Sequence, residues 1–393
     1  MANTISSSLI PSIIGAGREA LEENVAYLGM VNKNFSDAQG KVGQSVDIAI
    51  PATLTAENVT AANTAPAPSA ITNGVTSLTL DKFKKTSFAI SATDKMNYDI
   101  ESYIMEQMKE AVRGVAKAVN SDLITEAWTG VPYGVGNTGT GFFASNYDGL
   151  LDARSALLSR NVDVSKMAAI ISLKDSAALG KNDQVQNANQ FGDRSLNVLG
   201  MAGRVAGFDI YEDQQATVST KGTITGATMG AAAVTTNTTV LTCATAQGVA
   251  LKAGDMIGID GATYSVQEDL TIAAENTGTL TVDRNWETAL DGDETLAFAT
   301  ASEGDAGVYD AATLRNIAGD FTGLSAVLRR PASNFLGGET QGEHFPIVDQ
   351  KSGAVLNLGI YQQYHQIAFE VSSVYGVKTT DARKFTKLFS YSS

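Results

Sequence analysis

The chain has 393 residues and a formal net charge of −14, and it carries no long basic run, which argues against tight binding of duplex nucleic acid. A hydrophobic content of 44% with only 18% charged residues excludes a disordered chain. The single cysteine, Cys243, excludes an intrachain disulfide framework, and with no basic stretch ahead of an apolar N-terminal run and no 18-residue apolar segment the expectation is a soluble cytoplasmic product with no membrane association.

Residues 1–40 open with a polar Ser/Thr tract, read as an extended N-terminal arm. Pro11 interrupts its apolar LIPSII run, and a short amphipathic helix is expected over 18–30. Residues 42–51 alternate like a strand that ends at Pro51, and 75–91 alternate again. Between them, 53–74 is polar and Pro-containing with no core-forming period. A connection of that length without structure of its own is uncommon within one compact monomer. A loop that reaches a neighbouring subunit explains it, so 41–93 is read as an extended β loop.

The chain is organised around 97–124. Ile100, Ile104, Met108, Val112, Val115, Val119 and Leu123 keep one side of a long helix apolar. Asn97 is placed to cap it, with Asp99 and Glu101 in the first turn. Glu106–Lys109 and Glu110–Arg113 are spaced for i,i+3 pairs, and Gly114 is the helix's weak point. Lys82, Lys84 and Lys85 on the preceding strand, with Glu106 and Glu110 on the helix, are the candidate inter-subunit contacts.

Residues 125–215 read as α/β. A Gly-rich turn region is followed by a helix over 147–160, a buried strand over 167–172, a short helix over 173–181, and a turn into a strand over 205–214. From 222 to 251 no Asp, Glu, Lys or Arg occurs. Short strands then recur with Gly254-Asp255 and Asp260-Gly261 as turn signals. Residues 217–300 therefore read as an inserted β-barrel domain. The C-terminal part, 301–393, returns to alternating strands. Lys378, Arg383, Lys384 and Lys387 are expected to be a solvated basic tail, and 378–387 is a candidate for contact with an assembly partner.

No catalytic constellation is recognisable. The G-x-G-x-x-G match over 134–139 follows a helix rather than a strand, so it reads as a Gly-rich loop and not as a dinucleotide fingerprint. His344 and His365 lack metal-ligand spacing. Asp291, Asp293 and Glu294 read as a solvated turn, and Cys243 as a buried inert thiol. The expectations are no enzyme activity, no cofactor and no metal.

The order of parts, with VAGFDIYEDQ at 205–214 and LKAGDMIGIDGATYSV at 251–266, resembles the major capsid (coat) protein of tailed bacteriophages, and most closely the podovirus-type coat family with an inserted β-barrel domain. That resemblance implies an α+β subunit with an N-arm (1–40), an extended loop (41–93), a spine helix and peripheral domain (94–145), an axial domain (146–216), the insert (217–300) and returning axial and peripheral strands (301–393). It implies hexamers and pentamers of the chain itself, assembly in the host cytoplasm with a scaffolding protein, and a portal through which DNA is packed. A decoration protein is a further candidate partner. The product would be a procapsid that matures into the icosahedral capsid of the virion, enclosing DNA without binding it specifically. The loop tip here is nearly uncharged, unlike the family's. The alternatives are the shell of a bacterial nanocompartment, a β-rich adhesion protein, and an enzyme using the glycine loop near 134–141.

Overall fold

A computed structural model of the chain describes residues 9–24, 27–33, 39–40, 42–50, 74–91, 100–136, 141–143, 147–181, 204–243, 248–300, 307, 309, 311–331, 342–349 and 353–390. The first helix, α1 (Leu9–Asn24), begins well before residue 18. Pro11 does not interrupt it, because it lies in the first turn, where a missing N–H leaves no intrahelical bond unmade. The second helix, α2 (Ile100–Gly130), has 31 residues and is therefore roughly 46 Å long. It runs six residues past the expected end. Ala127 and Trp128 are buried and extend the apolar stripe, and Pro132 follows as a stop. Asn97 and Asp99 lie outside the described residues.

The chain divides into two compact units. The first comprises 1–20, 33–115 and 326–380. Its sheet is centred on the 14-residue strand Gln366–Thr379, which pairs antiparallel with Val355–Gln363 and with Lys82–Ser91. The strand Glu343–Val348 forms one edge. On the first half of α2, Ile104, Met108, Val112 and Val115 are buried. Two glycines set how closely elements approach. A Cβ on Gly17 of α1 would meet Ile347 Cδ1 at 3.2 Å and Val112 Cγ2 at 3.4 Å, and one on Gly114 of α2 would meet Thr86 Oγ1 at 3.2 Å. Gly114 is thus a contact between the helix and the strand Lys82–Ser91.

The second unit comprises 21–32, 116–325 and 381–393. Its six-stranded sheet runs in the order Gly134–Gly136, Phe385–Phe389, Asn316–Asp320, Met167–Ser172, Phe208–Asp213, Arg204–Val205. The helices α3 (Asp148–Ser159) and α4 (Leu173–Lys181) stand where the sequence places them. Leu150, Ala153 and Leu157 of α3 and Leu179 of α4 pack with Met167, Ala169 and Ile171 in one apolar cluster. A buried carboxylate ties the last strand into this layer. Asp175 accepts from Ser390 Oγ at 2.6 Å, Asn316 Nδ2 at 2.5 Å and Ser172 Oγ at 3.1 Å.

Within this unit, residues 223–299 form a small all-β body. One three-stranded sheet holds Thr223–Ile224, Val249–Leu251 and Leu270–Ile272, and another holds Ala227–Met229, Thr238–Cys243 and Thr277–Thr281. A further two-stranded sheet is the hairpin Met256–Ile259/Ala262–Ser265. Its turn residues Asp260 and Gly261 have φ of 50° and 80°, the paired positive values of a type I′ turn that an Asp-Gly dipeptide favours. Leu241, Leu251, Ile257, Val266, Leu280 and Val282 lie in one fully buried core.

Candidate functional site

The strands Ser45–Ile50 and Gly74–Thr79 make a two-stranded sheet of their own, in register from Ser45↔Thr79 to Ile50↔Gly74. Gly43 N–H donates to Leu80 O and Leu80 N–H to Gln44 O, both at 2.8 Å, closing the root. Alternation puts Val46, Ile48 and Leu78 on one face, and with Leu80 they pack against Val327 and Val374. Leu78 and Leu80 are fully buried. A Cβ on Gly376 would lie 2.2 Å from Thr79 O and 2.7 Å from Leu78 Cδ2, so only glycine lets the root rest directly on the sheet. Away from that contact the arm is open: Val75 is 65% exposed, Val42 57%, and Phe83 on the following strand 50%. The connection 51–73, which includes almost all of the expected tip 53–74, lies outside the described residues.

Lys82, Lys84 and Lys85 sit opposite Tyr375, Ser373 and Ser372 on the central strand of the sheet. Lys85 Nζ lies 3.3 Å from Glu370, so its charge has a partner within its own chain. Glu106 and Glu110 are both exposed on α2. Glu110 accepts from Arg113 at 2.7 Å, the expected i,i+3 pair. Lys109 instead reaches Glu19 on α1 at 2.6 Å rather than Glu106, because the close crossing at Gly17 sets the two helices side by side. Hydrogen bonding from Lys109 holds the Glu19 carboxyl below its usual range.

The expected solvated basic tail holds for Lys378 and Arg383, which are exposed, and not for Lys387. Lys378 donates to Ser77 O at 3.0 Å, Arg383 pairs with Asp381 at 3.0 Å and Lys384 with Asp320 at 3.2 Å, and Lys387 is completely buried. Lys387 stands mid-strand in Phe385–Phe389, flanked by Ile317 and Gly134 on the neighbouring strands. Its Nζ donates to Gly254 O at 2.8 Å and Ser265 Oγ at 3.3 Å, and lies 4.9 Å from the Trp128 ring centre. Ser265 Oγ in turn donates to Thr129 O at 2.6 Å. Gly254 has a φ of +91°, and a Cβ there would lie 2.5 Å from Trp128 Cδ1.

Two buried carboxylates, Asp255 and Asp283, attract this amine electrostatically. Asp255 accepts from Tyr309 OH at 2.7 Å, Lys252 N–H at 2.8 Å and Gly222 N–H at 3.0 Å. Asp283 accepts from Ser265 N–H at 2.7 Å and pairs with Arg284 at 3.2 Å. Burial pushes the Lys387 amine down to about 7, against the pull of Asp283 and Asp255 toward the charged form. Burial likewise raises both carboxyls, and burial together with Asp255 raises the Tyr309 phenol. The sequence held one signal of this site: Phe385, Lys387 and Phe389 share one phase of a strand, which puts the lysine in register with two aromatic core residues.

The remaining motifs take structural places. Gly134–Gly136 is a strand, parallel to Phe385–Phe389, and not a loop. Gly136 has a φ of +99°, and a Cβ there would touch Phe142 and Phe389 O at 3.0 Å, so the glycine serves close packing. Residues 137–140 lie outside the described residues. Glu294 closes its own acidic turn by accepting from the N–H groups of Asp291 and Gly292. Cys243 is buried in the core of the insert. His344 Nδ1 lies 3.2 Å from Asn357 Nδ2, and His365 occupies a hairpin turn at a φ of 52°. Among the described residues no group of three or more His, Cys, Asp or Glu side chains is arranged to hold a metal ion, and no helix is long and apolar enough to cross a membrane.

No family model matches the sequence, and no curated protein matches it significantly. Solved capsid structures do match. The chain is similar to one in the capsid of Cyanophage P-SCSP1u, at 12% identity over 93% of this chain and 87% of that chain, with a TM-score of 0.48. It is similar to one in the asymmetric unit of the bacteriophage PhiM1 mature capsid, at 11% identity over 93% and 87%, with a TM-score of 0.48. A virus-like particle from Pyrococcus furiosus matches at 10% identity over 96% and 98%, with a TM-score of 0.40.

Proposed function

We propose that this chain is a structural subunit, not an enzyme, that self-assembles into the icosahedral shell enclosing phage DNA. The observation that carries the reading is the arm. Two six-residue strands stand as a sheet by themselves, fastened along one face, chiefly at the root, by Leu78 and Leu80 with Val46 and Ile48. A two-stranded hairpin is marginal in water unless something covers it, and this one exposes Val75 while a long connection separates its strands. A second copy of the chain supplies the cover, and repetition by symmetry makes many such contacts into a closed shell. The order of parts, from helix through arm to a 31-residue helix and an α/β layer carrying a β body, is the order implied by the resemblance to tailed-phage coat proteins. A net charge of −14 suits a container that encloses DNA without holding it tightly. Scaffolding, portal and decoration proteins, and assembly in the host cytoplasm, belong to this proposal.

The test is deletion of 53–74, with particle size read by light scattering and negative-stain microscopy. The expected result is a subunit with wild-type circular dichroism that builds no closed shells. Intact shells from the deletion variant would overturn the proposal.

A further inference from the structure

The helix α3 carries two Leu-Leu pairs seven residues apart, at 150–151 and 157–158. Seven residues make about two helical turns, so each pair puts one leucine on each of two stripes. Leu150 and Leu157 form the inner stripe with Ala153, fully buried against the six-stranded sheet. Leu151 and Leu158 form the outer one and are 43% and 41% exposed. A single core needs only the inner stripe. The helix α4 repeats the arrangement. Leu179 is buried in the same cluster, while Leu173 is 48% exposed and Ala177, one turn on, is exposed beside it.

Charge is sorted between the two helices. The outer side of α3 shows Asp148 and Asp152, both exposed. Its basic residues turn inward. Arg154 donates to Ala206 O at 3.4 Å. Arg160, just past the helix, donates to Ala156 O at 3.0 Å and Thr386 Oγ1 at 2.5 Å, with its guanidinium over the Tyr133 ring. In α4 the signs are exchanged. Its one acidic residue, Asp175, is buried in the hydrogen bonds to Ser172, Asn316 and Ser390. Lys174 and Lys181 are exposed. Both helices cover the same face of the sheet, α3 over Phe385–Phe389 and α4 over Met167–Ser172 and Phe208–Asp213. The layer therefore presents two leucine-bearing faces, one acidic and one basic.

We propose that these faces meet between copies of this chain, with α3 of one subunit packed on α4 of the next. Leu151 and Leu158 lie against Leu173 at the centre, and Asp148 and Asp152 lie among Lys174 and Lys181 at the rim. The inference rests on the shell-subunit reading above and adds to it a contact separate from the arm. Apolar residues supply the buried centre of such an interface, and charges select the partner face. Pairing like faces would set Asp against Asp or Lys against Lys, which electrostatics disfavours. A contact between two different faces is heterologous, so it repeats head to tail and builds a ring where the rotation closes.

The test is charge reversal in the full chain, with assembly read by light scattering and negative-stain microscopy and folding by circular dichroism. Asp148→Lys with Asp152→Lys makes both faces basic. Lys174→Glu with Lys181→Glu makes both acidic. Each of these variants should need at least about tenfold more protein than the wild type to assemble. All four substitutions in one chain exchange the signs of the faces and should restore wild-type assembly. The contact is overturned if either two-site variant assembles as the wild type does, or if the four-site variant assembles no better than the two-site ones. A wild type that stays monomeric overturns the shell reading, and this contact with it. A wild type that builds shells while the reversals change nothing overturns the contact alone. Should a reversal variant not fold, Leu151→Ser with Leu158→Ser takes its place. Both side chains are exposed, so the fold should stand, and wild-type assembly by that variant overturns the contact.

Discussion

The arm and the inserted β body are built from similar material, short strands rich in Val, Leu, Ile and Thr, and they end in opposite states. In the insert the strand Thr238–Cys243 alternates, burying Thr239, Leu241 and Cys243, and the following strands return within a few residues to cover that face. In the arm only the root face is covered, and Val75 remains 65% exposed. Alternation therefore shows that a strand has an apolar side. Whether that side is satisfied within the chain depends on what the connections bring back to it. Turns of two residues, such as Asp260-Gly261, return the chain at once, whereas a 51–73 connection does not.

The largest effect that separates the two regions is on assembly. Val75→Asp and Val240→Asp each place a charge on a strand residue that is about half exposed or more, 65% and 49% respectively. Neither should change the subunit's unfolding free energy by more than about 0.5 kcal/mol, since neither side chain is buried in the chain. Val75→Asp should abolish closed shells, while Val240→Asp should build them as the wild type does. Shells from both variants would mean that the open face of the arm meets nothing.

Next in size is a stability effect confined to the second unit. Gly254→Ala forces an L side chain to a φ of +91° and puts a Cβ 2.5 Å from the Trp128 ring. Backbone strain and overpacking together predict a loss of about 3 kcal/mol in urea unfolding. A loss under about 1 kcal/mol would show that the loop around Gly254 moves aside freely and is not clamped to α2.

What the sequence made legible follows from how local the physics is. The body of α2, the strand Met167–Ser172 and the Asp260-Gly261 hairpin all rest on periodicity or turn chemistry within a few residues, and they stand where expected. The misjudged features all depend on distant partners. Lys109 pairs with Glu19 because α1 crosses α2 at Gly17. Gly134–Gly136 becomes a strand because Phe385–Phe389 lies beside it. The start of α1 at Leu9 and not at residue 18 is a local exception: Pro11 is tolerated in a first turn, and which turn is first is known only from the fold. From sequence Lys387 reads as a surface charge, because lysines are almost never fully buried. The acceptors that make its burial tolerable, Gly254 O and Ser265 Oγ, lie more than 120 residues away. For the arm, both strands and the long connection are legible from alternation and composition. The burial of Leu78 and Leu80 against Val374 came only from the fold.

The smallest expected effect concerns the other close glycine. Gly114→Ala in α2 adds about 1 kcal/mol of intrinsic helix stability. Against this, the new methyl group lies 3.2 Å from Thr86 Oγ1 and 3.8 Å from Thr86 Cγ2. The contact is with the side chain of one residue and not with backbone, and the helix at this point has an ordinary conformation, unlike the positive φ at Gly254. The two terms nearly cancel, so the single variant should fall within about 0.5 kcal/mol of wild type. Thr86→Ala should relieve the contact, so the double variant should gain roughly the full helix term relative to Thr86→Ala alone. A double-mutant cycle by urea unfolding measures this as a favourable coupling of about 0.5–1 kcal/mol. Zero coupling would mean that Gly114 is not held against the strand Lys82–Ser91, and that this glycine, unlike Gly254, is merely tolerated.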